Sequence, residues 1–306
     1  MKQILFQFGA GDALAQSLVG KIGCEPGELD RRQFPDGESY VRLVTPVEKR
    51  DVILLASLAN PDKTTLPLLF TADAARQHGA RTVGLIAPYL AYMRQDKAFQ
   101  AGEAVTSVTY AHLLSSAFDW LVTVDPHLHR YDALDAVYSI PSIATTAAGP
   151  IARWIEAHVE RPFLIGPDVE SAQWVEQIAE LAHAPSAIFR KTRRGDFDIV
   201  IDGGASHIPA GATPVIVDDI ASSGRTMVEA VKALQHGGHA APVCVLVHAL
   251  FAGDAYHTLL QAGPAAIVST NTVPHPSNAI DIAEVIGEAV LRALGTTQGS
   301  KLDPSG

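Results

Sequence analysis

An apolar run, Val215-Ile216-Val217, ends in two adjacent acids, Asp218 and Asp219, and passes through Ser222-Ser223-Gly224 to Arg225 and Thr226. A small polar loop entering a helix presents unpaired backbone N–H groups, which suit a phosphate. The hydroxyls of Ser222, Ser223 and Thr226 add donors, and Gly224 permits close approach. Asp218 and Asp219 would repel a phosphate; they suit the neutral hydroxyls of a sugar beside it, or a cation. The competing explanation is an ordinary helix N-cap, with the acids favourably placed for the helix dipole.

Cations gather in two other places. Arg94 and Lys97 lie close together, and Arg190-Lys191-Thr192-Arg193-Arg194 packs four positive charges into five positions. The chain as a whole carries a formal charge of -10. That balance argues against a nucleic-acid binder, because phosphate backbones reward basic stripes. Local positive clusters on an acidic chain point instead to a small polyanion, or to a salt-bridged surface.

The elements that must hold these residues are legible as alternation. Val52–Ala56, Thr82–Ala87, Trp120–Val124, Phe163–Ile165, Asp198–Ile201, Val215–Val217 and Val243–Val247 read as strands, and segments 66–78, 104–116, 170–182 and 225–236 as helices. Continuous apolar strands are covered on both faces, so parallel sheets between helical layers are expected. The fold class is α/β. A repeat is visible: Val52-Ile53, a polar loop to Thr65, a helix ending at Gln77-His78-Gly79, and a strand at 82–87 are echoed by Val215-Ile216, a loop to Thr226, Gln235-His236-Gly237 and a strand at 243–247. At 306 residues the chain has room for two such domains, expected at 1–147 and 148–295 and joined near Pro141–Pro150, with 296–306 as a loose tail. Met1–Phe8 reads as a first strand feeding a helix, since its apolar run is too short for a signal peptide. No run approaches the ~18 apolar residues of a membrane span. Two cysteines, Cys24 and Cys244, make no disulfide framework. A reducing, cytoplasmic setting is the expectation.

The 215–227 segment resembles the phosphoribosyl-diphosphate loop shared by phosphoribosyltransferases and ribose-phosphate diphosphokinases. Phe34-Pro35-Asp36-Gly37-Glu38, Tyr92-Met93-Arg94-Gln95-Asp96, Asp125-Pro126-His127 and Gly166-Pro167-Asp168 stand in the order and approximate spacing of the diphosphokinase family. The tyrosine–arginine–glutamine–aspartate segment is foreign to ordinary transferases, and its continuation Ala98–Ala104 is most similar to the archaeal-type branch. The resemblance covers roughly residues 1–295. It implies two tandem phosphoribosyltransferase-like domains, each a mainly parallel sheet flanked by helices, the first serving ATP and the second ribose phosphate. The implied reaction moves the β,γ-diphosphoryl group of ATP to the 1-OH of ribose 5-phosphate and releases AMP.

The same resemblance assigns roles. Phe34, Asp36, Gly37, Glu38, Arg94 and Gln95 would hold ATP; His127 and Asp168 would hold magnesium; Lys191 and Arg193 would be catalytic. Asp218, Asp219, Ser222, Ser223, Gly224, Arg225 and Thr226 would bind the sugar phosphate. His129 is not taken as a ligand. A homo-oligomer is implied, with the first ATP segment reaching a neighbouring subunit, and no membrane or nucleic-acid partner. Two departures stand against the pattern. Val169-Glu170-Ser171-Ala172 replaces a glycine pair that normally follows the aspartate, and Arg225 occupies a glycine position of the archaeal-type loop. A different 5-substituted ribose as acceptor, a non-catalytic regulatory relative, and a simple phosphoribosyltransferase therefore stay open as alternatives.

Overall fold

The computed structural model describes residues 2–128, 130–169, 171–191, 197–200 and 208–299. It divides into two units, one built from the chain up to Thr146 together with the segment from Ile282 onward, the other from Ala147–Asp281.

In the first unit the elements run β1 (Gln3–Gln7), α1 (Asp12–Ile22), β2 (Glu25–Gly27), β3 (Leu29–Gln33), β4 (Ser39–Leu43), β5 (Asp51–Leu55), α2 (Pro61–Gln77), β6 (Thr82–Ala87), α3 (Thr106–Ala117), β7 (Trp120–Val124) and β8 (Ser142–Thr145). Six strands form a parallel sheet in the order β2-β1-β5-β6-β7-β8. The antiparallel pair β3–β4 stands outside it as a separate hairpin. Every residue of β5, β6 and β7 is buried, as continuous apolar strands between helices require. The charged residue among them, Asp51, accepts from Arg81 Nε at 2.8 Å and Thr82 Oγ1 at 2.6 Å, which satisfies its buried charge.

The second unit contains α4 (Ala148–His158), β9 (Pro162–Gly166), α5 (Ala172–Leu181), β10 (Ser186–Lys191), β11 (Phe197–Val200), β12 (Thr213–Ile220), α6 (Arg225–His236), β13 (Val243–His248), α7 (Ala255–Gln261), β14 (Ala266–Thr270) and β15 (Asn278–Ile280). Its sheet runs β11-β10-β9-β12-β13-β14-β15 and is parallel apart from the β10–β11 pair. Residues 198–200 of the run expected as a strand at 198–201 thus lie in an antiparallel edge strand instead of another parallel one, and Ile201 lies outside the described residues.

Without β11, the two sheets have the same strand order, so the sequence repeat is a structural one: β5-α2-β6 corresponds to β12-α6-β13. Gly79 (φ +80°) and Gly238 (φ +75°) make matching left-handed turns after α2 and α6, where a side chain would strain the backbone. In each sheet the connections reverse direction beside the first strand of the unit, between β1 and β5 and between β9 and β12. Such switch points open a crevice at the carboxyl ends of the strands.

The final helix, α8 (Ala283–Gly299), departs from the contiguous division expected at residue 295, because it packs on α1, β7 and β8 of the first unit. Ile286, Ala289, Val290 and Ala293 form its buried stripe at helical spacing. It continues through residue 299, past the expected start of the tail; residues 300–306 lie outside the described residues. No helix among the described residues is long and apolar enough to cross a membrane.

Candidate active site

The switch point of the second sheet brings together residues distant in sequence. β12 pairs with β9, so Asp218 and Asp219 at the end of one strand lie beside the turn that leads from Gly166 to Asp168 at the end of the other. Burial is the main cause that lifts the Asp218 carboxyl well above the ordinary carboxylate range, with the charges of Asp219 and Asp168 adding to it. The amide of Asp219 donates to Asp218 Oδ1 at 3.0 Å, which offsets part of that cost.

Asp168 opens a tight turn. The amide of Ser171 donates to Asp168 Oδ1 at 3.1 Å, and Ser171 Oγ donates to the Asp168 carbonyl at 2.7 Å. Ser171 thereby ties the start of α5 back to Asp168. Gly166 makes room for it, since an added Cβ there would lie 2.5 Å from Ser171 Oγ. Glu170 itself lies outside the described residues.

The loop after β12 enters α6 through Gly224, whose φ of +68° belongs to the left-handed region. Among the described residues no side chain caps the helix, so no capping side chain takes up the amides of its first turn. Ser223 and Arg225 are exposed, while Ser222 and Thr226 are half-buried. The loop backbone is braced from behind: Ala221 N donates to the His248 carbonyl at 3.2 Å, and Phe251 N and Ala252 N donate to the carbonyls of Ala221 and Ser222 at 2.7 and 2.9 Å. Sequence reading singled out neither this brace nor Ser171. Bonds between main chains leave no residue-type signature.

In the first unit, Phe34–Glu38 form the tip of the β3–β4 hairpin. Phe34 N donates to the Glu38 carbonyl at 2.7 Å, Glu38 N donates to Asp36 Oδ1 at 3.1 Å, and Gly37 takes a φ of +94° that favours glycine. Phe34 is 38% exposed. The Arg32 guanidinium lies 4.9 Å from its ring centroid and 4.5 Å from that of Tyr40, which stiffens this exposed aromatic cluster.

Arg94 and Gln95 occupy the loop before α3. Gln95 is tied to the helix start, where its Oε1 accepts from Thr106 Oγ1 at 3.2 Å and its carbonyl from Ser107 N at 3.3 Å. Arg94 is exposed. Just before them Tyr92 has a φ of +62° and donates to Asp62 on α2, a bond that raises the tyrosine pKa. Asp96 is held by Arg130 Nε at 3.1 Å. The loop is therefore fixed around Arg94, whose side chain is left outward.

His127 follows β7 and is half-buried, beyond Asp125, whose φ of +41° turns the chain and whose amide donates to Thr145 at 2.9 Å. Lys191 ends β10, at the border of the segment leading to β11. Arg193 and His129 lie outside the described residues. Among the described residues no three His, Cys, Asp or Glu side chains form a metal-holding group. An oxygen-seeking ion held mostly by water and phosphate oxygens needs no such group, and Asp168 beside the crowded charge of Asp218 and Asp219 offers it carboxylate oxygen.

Comparison with known proteins adds a second line. Residues 3–117 match the N-terminal domain of ribose phosphate pyrophosphokinase, and residues 133–277 match the phosphoribosyl transferase domain. A ribose-phosphate pyrophosphokinase of Methanopyrus kandleri is 32% identical over 295 residues, covering 95% of this chain and 100% of that protein. The enzyme of the same name from Sulfurisphaera tokodaii is 30% identical over 280 residues, covering 90% and 95%. The crystal structure of phosphoribosylpyrophosphate synthetase from Mycobacterium smegmatis superposes with a TM-score of 0.83 at 25% identity, covering 97% of this chain and 100% of that one.

Proposed function

This chain belongs to the ribose-phosphate pyrophosphokinase family, and we propose that the residues mapped above carry out its reaction on ATP and ribose 5-phosphate. The observation that carries the reading is the switch point of the second sheet, where paired acids and an uncapped helix start stand side by side. That combination suits a molecule with vicinal hydroxyls at one end and a phosphate at the other. Asp218 and Asp219 accept hydrogen bonds from the ribose hydroxyls, while the amides and hydroxyls of 222–226 take the 5-phosphate. Arg225 adds a cation beside the phosphate, so it strengthens anion binding in place of the expected glycine.

On the ATP side, Phe34 stacks on adenine, with Asp36 and Glu38 accepting from its amino group around the Gly37 turn. Arg94 presents paired donors to the phosphates, and Gln95 keeps the loop in register through Thr106. The sugar O1 bonds to the β-phosphorus as the bond from that phosphorus to the α,β-bridging oxygen breaks; the bridging oxygen leaves with AMP and the hydroxyl proton passes to water. No protein nucleophile is required. Lys191 and Arg193 stabilise charge on the phosphoryl oxygens as it shifts toward AMP. Magnesium, when bound, neutralises the diphosphoryl charge; Asp168 and His127 are the residues assigned to hold it.

The relatives named above carry the ribose-phosphate name, which favours neither a different 5-substituted ribose nor a non-catalytic role. A homo-oligomer is proposed on the family resemblance together with the exposed aromatic tip of the β3–β4 hairpin, and a cytoplasmic location on the two free thiols, Cys244 being buried with its pKa pushed up to about 12. Screening ribose 5-phosphate against 5-substituted analogues for magnesium-dependent AMP release tests the acceptor. Preference for an analogue would replace ribose 5-phosphate in this account.

A further inference from the structure

The sugar-phosphate loop has no helix cap of its own, yet its backbone must hold amides in one arrangement for an anion. What fixes it is the segment between β13 and α7. Besides the main-chain bonds from His248, Phe251 and Ala252 to Ala221 and Ser222, the first residue of α7 abuts the loop, since a Cβ added to Gly224 would lie 3.6 Å from the Ala255 carbonyl oxygen. Phe251, which supplies the shortest of these bonds at 2.7 Å, has a φ of +35° that side-chain-bearing residues rarely adopt. Something outside the loop must therefore keep it there.

An aromatic cluster does so. The Phe251 ring lies 5.1 Å from that of Tyr256 and 4.8 Å from that of His275, and Tyr256 and His275 meet edge to face at 4.6 Å. Phe251 is 8% exposed and belongs to the core of the unit, with Tyr256 packed against it. His275 is itself tethered: its Nδ1 is 2.8 Å from Ser277 Oγ, and that hydroxyl is 2.7 Å from the buried Ser269 Oγ of β14. Asn278 closes the network by donating to Ser269 Oγ at 2.9 Å and to the Thr270 carbonyl at 2.7 Å. On the other side of the same segment, His248 Nδ1 is 2.9 Å from Thr272 Oγ1, which donates to the Val247 carbonyl at 2.8 Å. The brace is thus pinned at both its ends to the β14–β15 edge of the sheet.

We propose that Phe251, Tyr256 and His275 form a positioning wedge that sets the backbone of the 221–226 loop from behind and so governs affinity for the sugar phosphate. None of the three touches the ligand in this account. The inference rests on the assignment of that loop to ribose 5-phosphate.

The test is steady-state kinetics of the full chain with both substrates varied, on Tyr256→Ala, Tyr256→Phe and His275→Ala, with thermal unfolding measured in parallel. Tyr256→Ala and His275→Ala should raise KM for ribose 5-phosphate between about tenfold and hundredfold, because displacement by a fraction of an ångström spoils a preorganised site. KM for ATP should stay within about twofold, and Tyr256→Phe, which keeps the ring, should behave as wild type. A folded Tyr256→Ala or His275→Ala protein with unchanged KM for ribose 5-phosphate overturns the wedge alone. So does an equal rise in both KM values, or a Tyr256→Phe variant as impaired as Tyr256→Ala. If Tyr256→Ala does not fold, His275→Ala and Tyr256→Phe still decide. A wild-type protein that releases no AMP with ribose 5-phosphate overturns the functional reading, and the wedge with it.

Discussion

Ser171 donates twice to Asp168, from its amide to Oδ1 at 3.1 Å and from Oγ to the carbonyl at 2.7 Å, so the aspartate assigned to magnesium is held by the residue that opens α5. Ser171→Ala keeps the amide bond and loses the hydroxyl one. It should cost about 1 kcal/mol of stability, measured by urea denaturation. It should also weaken the magnesium dependence of activity by several-fold, whereas Ser171→Thr should retain most of both. Equal activity across magnesium concentrations in wild type and Ser171→Ala would remove this turn from metal positioning.

Asp218 sits where its charge is unfavourable. Its folded pKa is raised above the unfolded value, so the ionised form costs stability in full above the folded pKa. That cost shrinks as pH falls through the window between the folded and unfolded values and is gone below the ordinary carboxylate range. Asp218→Asn should therefore melt higher than wild type at neutral pH, with the gap closing on acidification. Activity with ribose 5-phosphate should fall at the same time. Differential scanning calorimetry across pH checks the first expectation, and a melting point lower than wild type at neutral pH would contradict it.

Arg94 is exposed on a loop whose neighbours carry the structural bonds. Arg94→Ala should leave stability within about 0.5 kcal/mol of wild type. KM for ATP should rise by roughly tenfold or more, with KM for ribose 5-phosphate little changed. A loss of stability with unaltered ATP affinity would make Arg94 a structural residue instead.

Gly84 lies in β6 directly beneath Trp120 of β7, where an added Cβ would come within 1.9 Å of the indole. Trp120 is fully buried and cannot swing away. Gly84→Ala should thus destabilise the first unit by about 1–3 kcal/mol or more, read as a lower denaturation midpoint at unchanged slope.

Much of this architecture is legible in the sequence. Val52–Ala56, Thr82–Ala87 and Trp120–Val124 are almost continuously apolar, broken only by Thr82, Gly84 and Thr123, as burial on both faces demands, and they occupy β5, β6 and β7. The echo of 52–87 in 215–247 marks the same place in two sheets of the same order. The β3–β4 hairpin is visible only as the Phe34–Glu38 turn, because β3 is mostly exposed, β4 is only half-buried, and neither carries a sustained apolar alternation. The stripe on α8 shows that one face is buried but not which sheet buries it, so its return to the first unit could not be read. At the site, residue types identified Asp218, Asp219 and the 222–226 loop. The 248–252 brace acts through main-chain bonds, which leave no trace in a one-dimensional pattern, and the side-chain bond of Ser171 depends on a turn that residue type alone does not reveal.

Lys191 ends β10 and is assigned to charge stabilisation at the phosphoryl oxygens. Lys191→Ala should lower turnover by about 10²–10³ while KM for ATP changes little. Unchanged turnover would exclude Lys191 from the chemistry.

The account turns on where phosphorus goes. Incubating the purified protein with ATP, magnesium and ribose 5-phosphate, and following nucleotides by chromatography with ³¹P NMR of the sugar, measures this directly. The expected result is AMP formed mole for mole with ribose 5-phosphate consumed, and a new diphosphate on C1. Formation of ADP in place of AMP, or AMP release that does not depend on the sugar phosphate, would contradict it.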